Sequence, residues 1–259
     1  MEIQPLLASE PEVDAPAVLT WSDTECAQEI ASAGPRSFLF PGTNLATVKE
    51  IEFKDGGTGA RVWDASIALS LWLAHHVDLR GKKLLELGAG VGLSGISAAL
   101  AGANVTLSEM GNTPLSDSTA LQGGSDKVLA PELSLLSNLD KNLQLNSLST
   151  IARTLELDWE LCLAEGYEPL ETYDIVCGSD LVYEGFSVRG LAAAVISHTA
   201  PNGMAYLMCD SRRFDVAGKA LLGQLMACGT VHLERMTVHN SFGRSELVLA
   251  TFSKLGSSA

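Results

Sequence analysis

The sequence predicts an α/β protein with a doubly wound, mostly parallel seven-stranded sheet and a terminal antiparallel hairpin. Three observations predict this class. Apolar runs of strand length alternate with segments of helical periodicity, and the first run leads through a glycine-rich turn directly into a helix. The last two runs are separated by a short polar turn, which is typical of a hairpin. Strands that alternate with helices pair in parallel and carry helices on both faces of the sheet.

Residues 1–35 differ from the rest of the chain in composition. The first thirty residues hold seven acids and neither Lys nor Arg, and four prolines lie within residues 1–35. This composition predicts an acidic, mostly disordered arm with a short helix near residues 22–33. Residues 38–40 and 46–53 predict the two strands of an N-terminal β-hairpin extension, which we assign to residues 36–62.

The elements after this hairpin follow in a regular order. The glycines of residues 56–59 predict a flexible connection, and the polar stretch 111–130 predicts a surface insertion. The predicted strands of the sheet are residues 83–85, 104–108, 153–157, 173–179, 203–209, 231–238 and 246–252. The predicted helices are residues 65–76, a segment that starts at Leu93, and residues 131–146, 191–198 and 214–227.

Composition limits the classes of function. The net charge of −14 disfavours binding to a nucleic-acid backbone, which requires clustered Lys and Arg, and it favours a basic partner. No apolar run approaches the roughly 18 residues of a membrane span, and the N-terminus lacks the features of a secretory signal. The five cysteines form no C-x-x-C pair, which is typical of reduced thiols. We therefore expect a monomeric cytoplasmic or nuclear protein that binds neither nucleic acid nor membrane.

The first strand ends in an acid-x-Gly-x-Gly-x-Gly turn made by Glu86, Gly88, Gly90 and Gly92. Alternating glycines let a backbone approach a ligand closely, and the helix behind them presents unpaired N–H groups. The dinucleotide fingerprint requires a glycine where Leu93 stands, and the phosphate-loop pattern requires a lysine that is missing here. The turn is therefore better suited to a ligand with an adenosine and an amino-acid tail than to a pyrophosphate.

Ligands of open parallel sheets bind at the carboxyl ends of the strands, so the residues that follow each strand are candidates. Glu109 ends the second strand, and its carboxylate can accept two hydrogen bonds from a ribose diol; the alternative is a helix-capping acid. Trp159 can pack on an adenine with Asp158 near the exocyclic amine, and the alternative is a large core residue. Trp63 precedes the sheet and can cover the methionine-like end of the ligand, with core packing as an equal alternative.

Asp180 and Tyr183 follow the fourth strand, and they are the candidate catalytic residues. If the ligand carries a sulfonium, the acceptor enters beside this pair. A nearby carboxylate raises the pKa of a lysine acceptor, so Asp180 is expected to position the amine rather than deprotonate it. Tyr183 is expected to form the wall of an apolar channel and to cover the ammonium face.

These motifs resemble one family, the seven-strand S-adenosylmethionine-dependent methyltransferases that modify lysines of non-histone proteins such as chaperones and elongation factors. The likeness covers about residues 45–253 and assigns residues 63–255 to the methyltransferase domain. It implies S-adenosylmethionine as cofactor and no metal. The residues that it implies bind the cofactor, together with the acids from the strand ends, are Trp63, Glu86, Gly88, Ala89, Gly90, Glu109, Asp158, Trp159 and Ser179. This chain departs from the family with Glu instead of Asp at Glu109 and with Ser instead of Ala at Ser179.

Other functions remain open at this point. A nucleic-acid methyltransferase is disfavoured by charge and by the absence of an Asn/Asp-Pro-Pro-aromatic run. A small-molecule N-methyltransferase is the alternative within enzymes, and a non-catalytic interaction scaffold is the alternative outside them. Within a protein substrate, the acceptor can be Lys, His or Arg.

Overall fold

The structure is a computed structural model of the 259-residue chain, and it describes residues 17–20, 28–30, 34–51, 57–111, 134–183, 187–240 and 243–254. The predicted insertion at residues 111–130 lies outside the described residues, apart from Gly111.

The strands and helices largely follow the predicted order. The strands are β1 (Ala17–Thr20), β2 (Gln28–Ile30), β3 (Arg36–Leu39), β4 (Leu45–Val48), β5 (Lys83–Glu86), β6 (Asn104–Glu109), β7 (Ala152–Glu156), β8 (Tyr173–Ser179), β9 (Thr199–Asp210), β10 (Gly229–Asn240) and β11 (Gly243–Lys254). The α-helices are α1 (Asp64–His76), α2 (Leu93–Leu100), α3 (Leu135–Leu145), α4 (Val188–His198) and α5 (Lys219–Met226). Single turns of 3₁₀-helix occupy Gly57–Ala60, Trp159–Leu163 and Ser211–Arg213, and a π-helical turn at Phe214–Gly218 replaces the start of the helix predicted at 214–227.

The central sheet has the order β1-β10-β11-β9-β8-β5-β6-β7. Strands β5 to β9 pair in parallel, and β11 pairs antiparallel with both β9 and β10. The predicted seven-stranded sheet with its terminal hairpin is therefore confirmed, and β1 adds an eighth strand parallel to β10. Strand order reverses beside β5, since the chain runs outward to β7 and returns to β8 on the other side. Such a reversal is where ligands of open α/β sheets bind.

Two segments of the predicted disordered arm form strands. Residues Ala17–Thr20 extend the main sheet as β1. Residues Gln28–Ile30 pair with β3 as β2, so the helix predicted near residues 22–33 is wrong at these positions. Pairing with a partner strand distant in sequence overrides the local composition, which contains no information about that partner.

The hairpin β3–β4 packs its inward side into the main apolar core. Its inward side chains Phe38, Phe40, Ala46 and Val48 are at most 1% exposed and belong to the same apolar cluster as Leu84 of β5. This cluster includes residues of α1, α2 and α3, whereas a second cluster includes residues of α4 and α5. The two clusters are the doubly wound layers that the alternation of elements predicts.

An asparagine of α3 and the asparagine that caps its C-terminus bind the hairpin in the way that a neighbouring strand would. The side chain of Asn146 accepts from Thr47 N–H at 2.8 Å and donates to Thr47 O at 2.6 Å. One turn earlier, Asn142 accepts from Lys49 N–H at 2.8 Å and donates to Val91 O at 2.9 Å. Residues four apart share a helix face, so α3 joins β4 to the turn that contains Val91.

Across the described part of the chain, no helix is long and apolar enough to cross a membrane.

Candidate active site

The glycine turn after β5 has a left-handed backbone at three positions. The φ angles of Gly88, Gly90 and Gly92 are +53°, +57° and +84°, which side chains rarely tolerate. A Cβ on Gly90 would lie 2.9 Å from the backbone oxygen of Gly59, and one on Gly92 would lie 2.7 Å from Leu139 Cδ2. The turn therefore needs these glycines for its own conformation and for packing against the protein. Close approach of a ligand to them stays a prediction.

Glu86 lies beneath this turn rather than on its surface. The residue is 1% exposed, and its carboxylate accepts a hydrogen bond from Gly95 N–H, in the first turn of α2, at 2.8 Å. Burial raises the pKa of Glu86 to about 7. Ala89 is also tied inward, since its N–H donates to Ser108 O at 2.9 Å. Both residues hold the turn on the sheet, and direct contact of either with a cofactor stays a prediction.

Glu109 reaches from the end of β6 to the turn. Its Oε2 accepts from Gly90 N–H at 2.9 Å, and its Oε1 accepts from Met110 N–H at 3.2 Å. Burial raises the pKa of this carboxyl, and the two N–H groups oppose that shift. The side chain remains half-buried, so a carboxylate with spare lone pairs stands at the rim of the turn.

Trp159 comes shortly after β7, the third parallel strand in chain order, and lies against the glycine turn. A Cβ on Gly88 would approach within 3.3 Å of Trp159 Cζ2. Asp158 caps the 3₁₀ turn that carries this indole, with Oδ1 accepting from Glu160 N–H at 2.9 Å. The structure thus brings Trp159 and Asp158 to the predicted edge of the sheet, and their contacts with an adenine stay a prediction.

Trp63 is connected to the other side of the glycine turn through the 3₁₀ turn that contains Thr58. Its indole Nε1 donates to Thr58 O at 2.8 Å, and the side chain is 38% exposed. Thr58 belongs to the 3₁₀ turn Gly57–Ala60, where the sequence predicts a flexible connection. Gly59 of this turn packs directly on Gly90. Flexibility of the connection stays a prediction.

Ser179 and Asp180 end β8 next to the glycine turn. Asp180 has a φ of +52°, which is uncommon for a residue with a side chain. Its N–H donates to Met208 O at 2.8 Å, and its Oδ1 accepts from Asp210 N–H at 3.1 Å. Burial raises the pKa of Asp180, while the Asp210 N–H and the positive charge of Arg213 oppose the rise. The strained backbone places a carboxylate at the sheet edge, as functional sites often do.

Tyr183 links the two sides of this edge electrostatically. Its ring is 42% exposed. Burial of the hydroxyl and then the charge of Glu109 raise the pKa of Tyr183. The phenol therefore stays neutral near the carboxylate at the rim of the turn.

Three charged residues at this edge escape the sequence argument. Asp210 ends β9, Asp64 begins α1, and Arg213 follows β9 with its Cζ 5.7 Å from the centroid of the Trp63 ring. Asp210 could have been identified from the sequence, because the strand-end rule that selects Asp180 applies equally to the fifth parallel strand. Among the described residues, no three His, Cys, Asp or Glu side chains are grouped to hold a metal.

A second groove opens at the opposite, amino edge of the strands. Its charged groups are paired with one another, with Glu171 accepting from Lys83 Nζ at 2.7 Å and from Arg153. We assign it no ligand.

A reversed strand order, a glycine turn and an acid at the next strand end are typical of doubly wound proteins that bind nucleosides. A family model described as a lysine methyltransferase matches residues 46–223. The chain belongs to that family, and the likeness predicted over residues 45–253 is confirmed across this range.

Individual relatives agree. Protein N-lysine methyltransferase METTL21A of Danio rerio is 36% identical over 133 residues, which are 51% of each chain. EEF1A lysine methyltransferase 3 of Mus musculus is 32% identical over 176 residues, 68% of this chain and 65% of that protein. The chain thus spans between half and two thirds of the length of these relatives. A solved SAM-dependent methyltransferase from Agrobacterium tumefaciens shares the fold with a TM-score of 0.54 at 17% identity, covering 86% of this chain and 71% of the other.

Proposed function

We propose that this protein is an S-adenosylmethionine-dependent methyltransferase that N-methylates lysine side chains of a non-histone protein. One observation carries the proposal. In a chain of the lysine methyltransferase family, Glu109 is hydrogen-bonded to Gly90 of the glycine turn. Asp180 directly follows β8, the strand on the other side of β5, at the same edge of the sheet.

The residues at this edge fit the cofactor. A carboxylate has about four lone-pair sites, so Glu109 can accept from a ribose diol while it keeps its two backbone donors. Each such bond contributes about 1.5–3 kcal/mol. Trp159 offers an aromatic face beside Gly88, and Asp158 stands next to it. Gly88, Ala89, Gly90, Trp63 and Ser179 complete the proposed binding set, with Glu86 supporting the turn from below.

S-adenosylmethionine supplies an electrophilic methyl carbon on a sulfonium when it is bound. The chain then has to align a neutral amine with that carbon, and such alignment accounts for much of the rate in reactions of this kind. Asp180 orients the amine, and Tyr183 shields it from water. Asp180 is not the base, because a carboxylate stabilises the protonated form of a neighbouring amine.

The substrate follows from charge and relatives. A net charge of −14 suits a basic protein surface. The EEF1A named for one relative favours a translation factor as substrate, and the family resemblance adds a chaperone as the alternative protein substrate. We expect a monomer acting in the cytoplasm, with neither nucleic acid nor membrane as a partner.

Two measurements test the proposal. Isothermal titration with S-adenosylmethionine should show binding in the wild type and binding weakened about tenfold to 100-fold in Glu109→Gln, because one charge-assisted acceptor is lost. Incubation of a cell lysate with tritiated-methyl S-adenosylmethionine should then label a discrete protein band, and labelling should fall in the same variant.

Each rival has its own outcome. Label that appears only in the acid-soluble fraction refutes the protein substrate and favours a small-molecule N-methyltransferase. Absence of cofactor binding in the wild type refutes the enzyme and favours an interaction scaffold.

A further inference from the structure

A series of contacts connects the strands and the helix on the acceptor side of the sheet edge. Asp180 accepts from Asp210 N–H at 3.1 Å, and Asp210 pairs in register with Leu247 of β11. Two residues earlier on β11, Ser245 donates to Asp64 Oδ2 at 2.7 Å. Asp64 follows Trp63 in sequence, so β8, β9, β11 and α1 all meet here.

Arg213 adds a positive charge beside these contacts. Its guanidinium carbon lies 5.7 Å from the centroid of the Trp63 ring, which is within the range of a cation–π interaction. The same positive charge acts on Asp180 and on Asp210, where it favours the ionised carboxylates. Arg213 thus stands between the aromatic residue proposed to cover the cofactor and the carboxylate proposed to receive the acceptor.

The charged and titratable groups around Asp180 come from every element that meets at this edge. They are Asp64 of α1, Tyr183 after β8, Glu109 of β6 acting on Tyr183, Cys209 and Asp210 of β9, and Arg212 and Arg213 of the following turn. Asp210 is engaged by Arg212 at 2.6 Å. Burial raises the pKa of the Cys209 thiol, so it stays neutral. With Asp64, Asp180, Asp210 and Glu109 counted as −1 each and Arg212 and Arg213 as +1 each, the formal charge of this group is −2, and it would be −3 without Arg213.

A net negative edge attracts a lysine side chain but opposes its reaction. Only about one lysine in a thousand is neutral near pH 7.4, and neighbouring carboxylates reduce that fraction further. A fixed cation nearby has the opposite effect, since it lowers the pKa of an amine.

We propose that Arg213 is a positioning residue that offsets the carboxylates of this edge, so that the acceptor lysine loses its proton on arrival. This inference rests on the proposed function. The aspartates attract the substrate lysine. The charge of Arg213 favours release of the proton of that lysine to water.

The test compares Arg213→Met, which keeps a side chain over Trp63 without charge, with Arg213→Lys, which keeps the charge. The readout is the initial rate of methyl transfer from saturating tritiated S-adenosylmethionine to lysate proteins, between about pH 7 and about pH 10. In Arg213→Met the rising limb of the pH–rate profile should shift to higher pH by about one unit, which lowers the rate near neutral pH about tenfold. Arg213→Lys should restore the wild-type limb, and cofactor affinity should stay unchanged in both variants.

Controls separate the charge from other causes. Arg80→Met removes the same charge from an exposed side chain before β5, at the opposite edge, and should leave the pH profile unchanged. Arg213→Gln is a second neutral variant, which should behave as Arg213→Met does if the methionine disturbs folding. An unchanged limb in both neutral variants overturns the inference, as does a lysine variant that behaves like them. A wild type that labels no protein overturns the proposed function and this inference together.

Discussion

The two halves of the carboxyl edge are built from different materials. The half formed by β5, β6 and α2 uses backbone geometry: left-handed glycines, a buried Glu86 and a Glu109 whose oxygens bind N–H groups of the turn and of its own neighbour. The half formed by β8, β9, β11 and α1 uses charge: it contains Asp64, Asp180 and Asp210, together with Arg213 over the ring of Trp63. We call the first the cofactor half and the second the acceptor half. We assign rigidity to the cofactor half and electrostatic tuning to the acceptor half.

The largest effect should come from a methyl group in the glycine turn. Gly90→Ala places a Cβ 2.9 Å from a backbone oxygen at a φ of +57°. Strain of this kind costs on the order of 1–3 kcal/mol before the clash is added. We expect affinity for S-adenosylmethionine to fall more than about 100-fold in calorimetric titration.

Its matched control is Gly223→Ala, where the added Cβ meets nothing within 4 Å. Gly223 lies in α5, so alanine should leave cofactor affinity unchanged and raise stability by about 0.5–1 kcal/mol. Equal cofactor affinity in Gly90→Ala and the wild type would contradict the rigidity assigned to this half.

Removing one charge from the acceptor half should affect turnover alone. Asp180→Asn keeps the size of the side chain and tolerates the left-handed backbone. We expect methyl transfer to fall about 100-fold through lost alignment, with cofactor affinity retained. Asp174→Asn, at the amino end of the same strand, is the control and should transfer methyl groups normally. Unchanged turnover in Asp180→Asn would remove this residue from the mechanism.

The pH dependence of stability should report the buried acid beneath the turn. Burial raises the folded-state pKa of Glu86 from its ordinary value of 4.5 to about 7, so the folded state binds this proton more tightly than the unfolded state. Its contribution to stability is therefore greatest at low pH and is lost as the pH rises through about 7. Between about pH 5 and pH 8 the loss should be about 2 kcal/mol.

Glu86→Gln keeps an acceptor for Gly95 N–H but does not titrate. Urea unfolding across this pH range should show a flatter profile in the variant than in the wild type. Parallel profiles would show that Glu86 titrates normally and that burial does not perturb it.

The smallest effect should come from the link between α3 and the glycine turn. Asn142→Leu leaves Val91 O and Lys49 N–H without their side-chain partner, at a cost of about 1–2 kcal/mol. Asn146→Leu also breaks side-chain bonds to β4 but makes no contact with Val91. Both variants should lower the unfolding free energy, whereas only Asn142→Leu should weaken cofactor binding. Equal cofactor affinity in the two variants would show that α3 does not support the turn.

The same contrast explains what the sequence could predict. The cofactor half lies within residues 84–109, where glycine spacing and strand-end acids are local signals, so its members are identifiable without a structure. The acceptor half depends on distant pairs: Asp64 and Ser245 are 181 positions apart, and Asp180 and Asp210 are 30 apart. Nothing near Arg213 in sequence indicates that its guanidinium stands over Trp63. The strand β1 was unpredictable for the same reason, because its partner β10 lies at the other end of the chain.

The most direct test of the account identifies the amino acid that receives the methyl group. Lysate proteins labelled with tritiated-methyl S-adenosylmethionine by the wild type and by Asp180→Asn would be isolated, hydrolysed to amino acids and separated by chromatography. We expect the label to co-migrate with Nε-methylated lysine in the wild-type sample and to be nearly absent with the variant. Label in methylhistidine, in methylarginine or outside protein, or equal methyl-lysine with both enzymes, would contradict it.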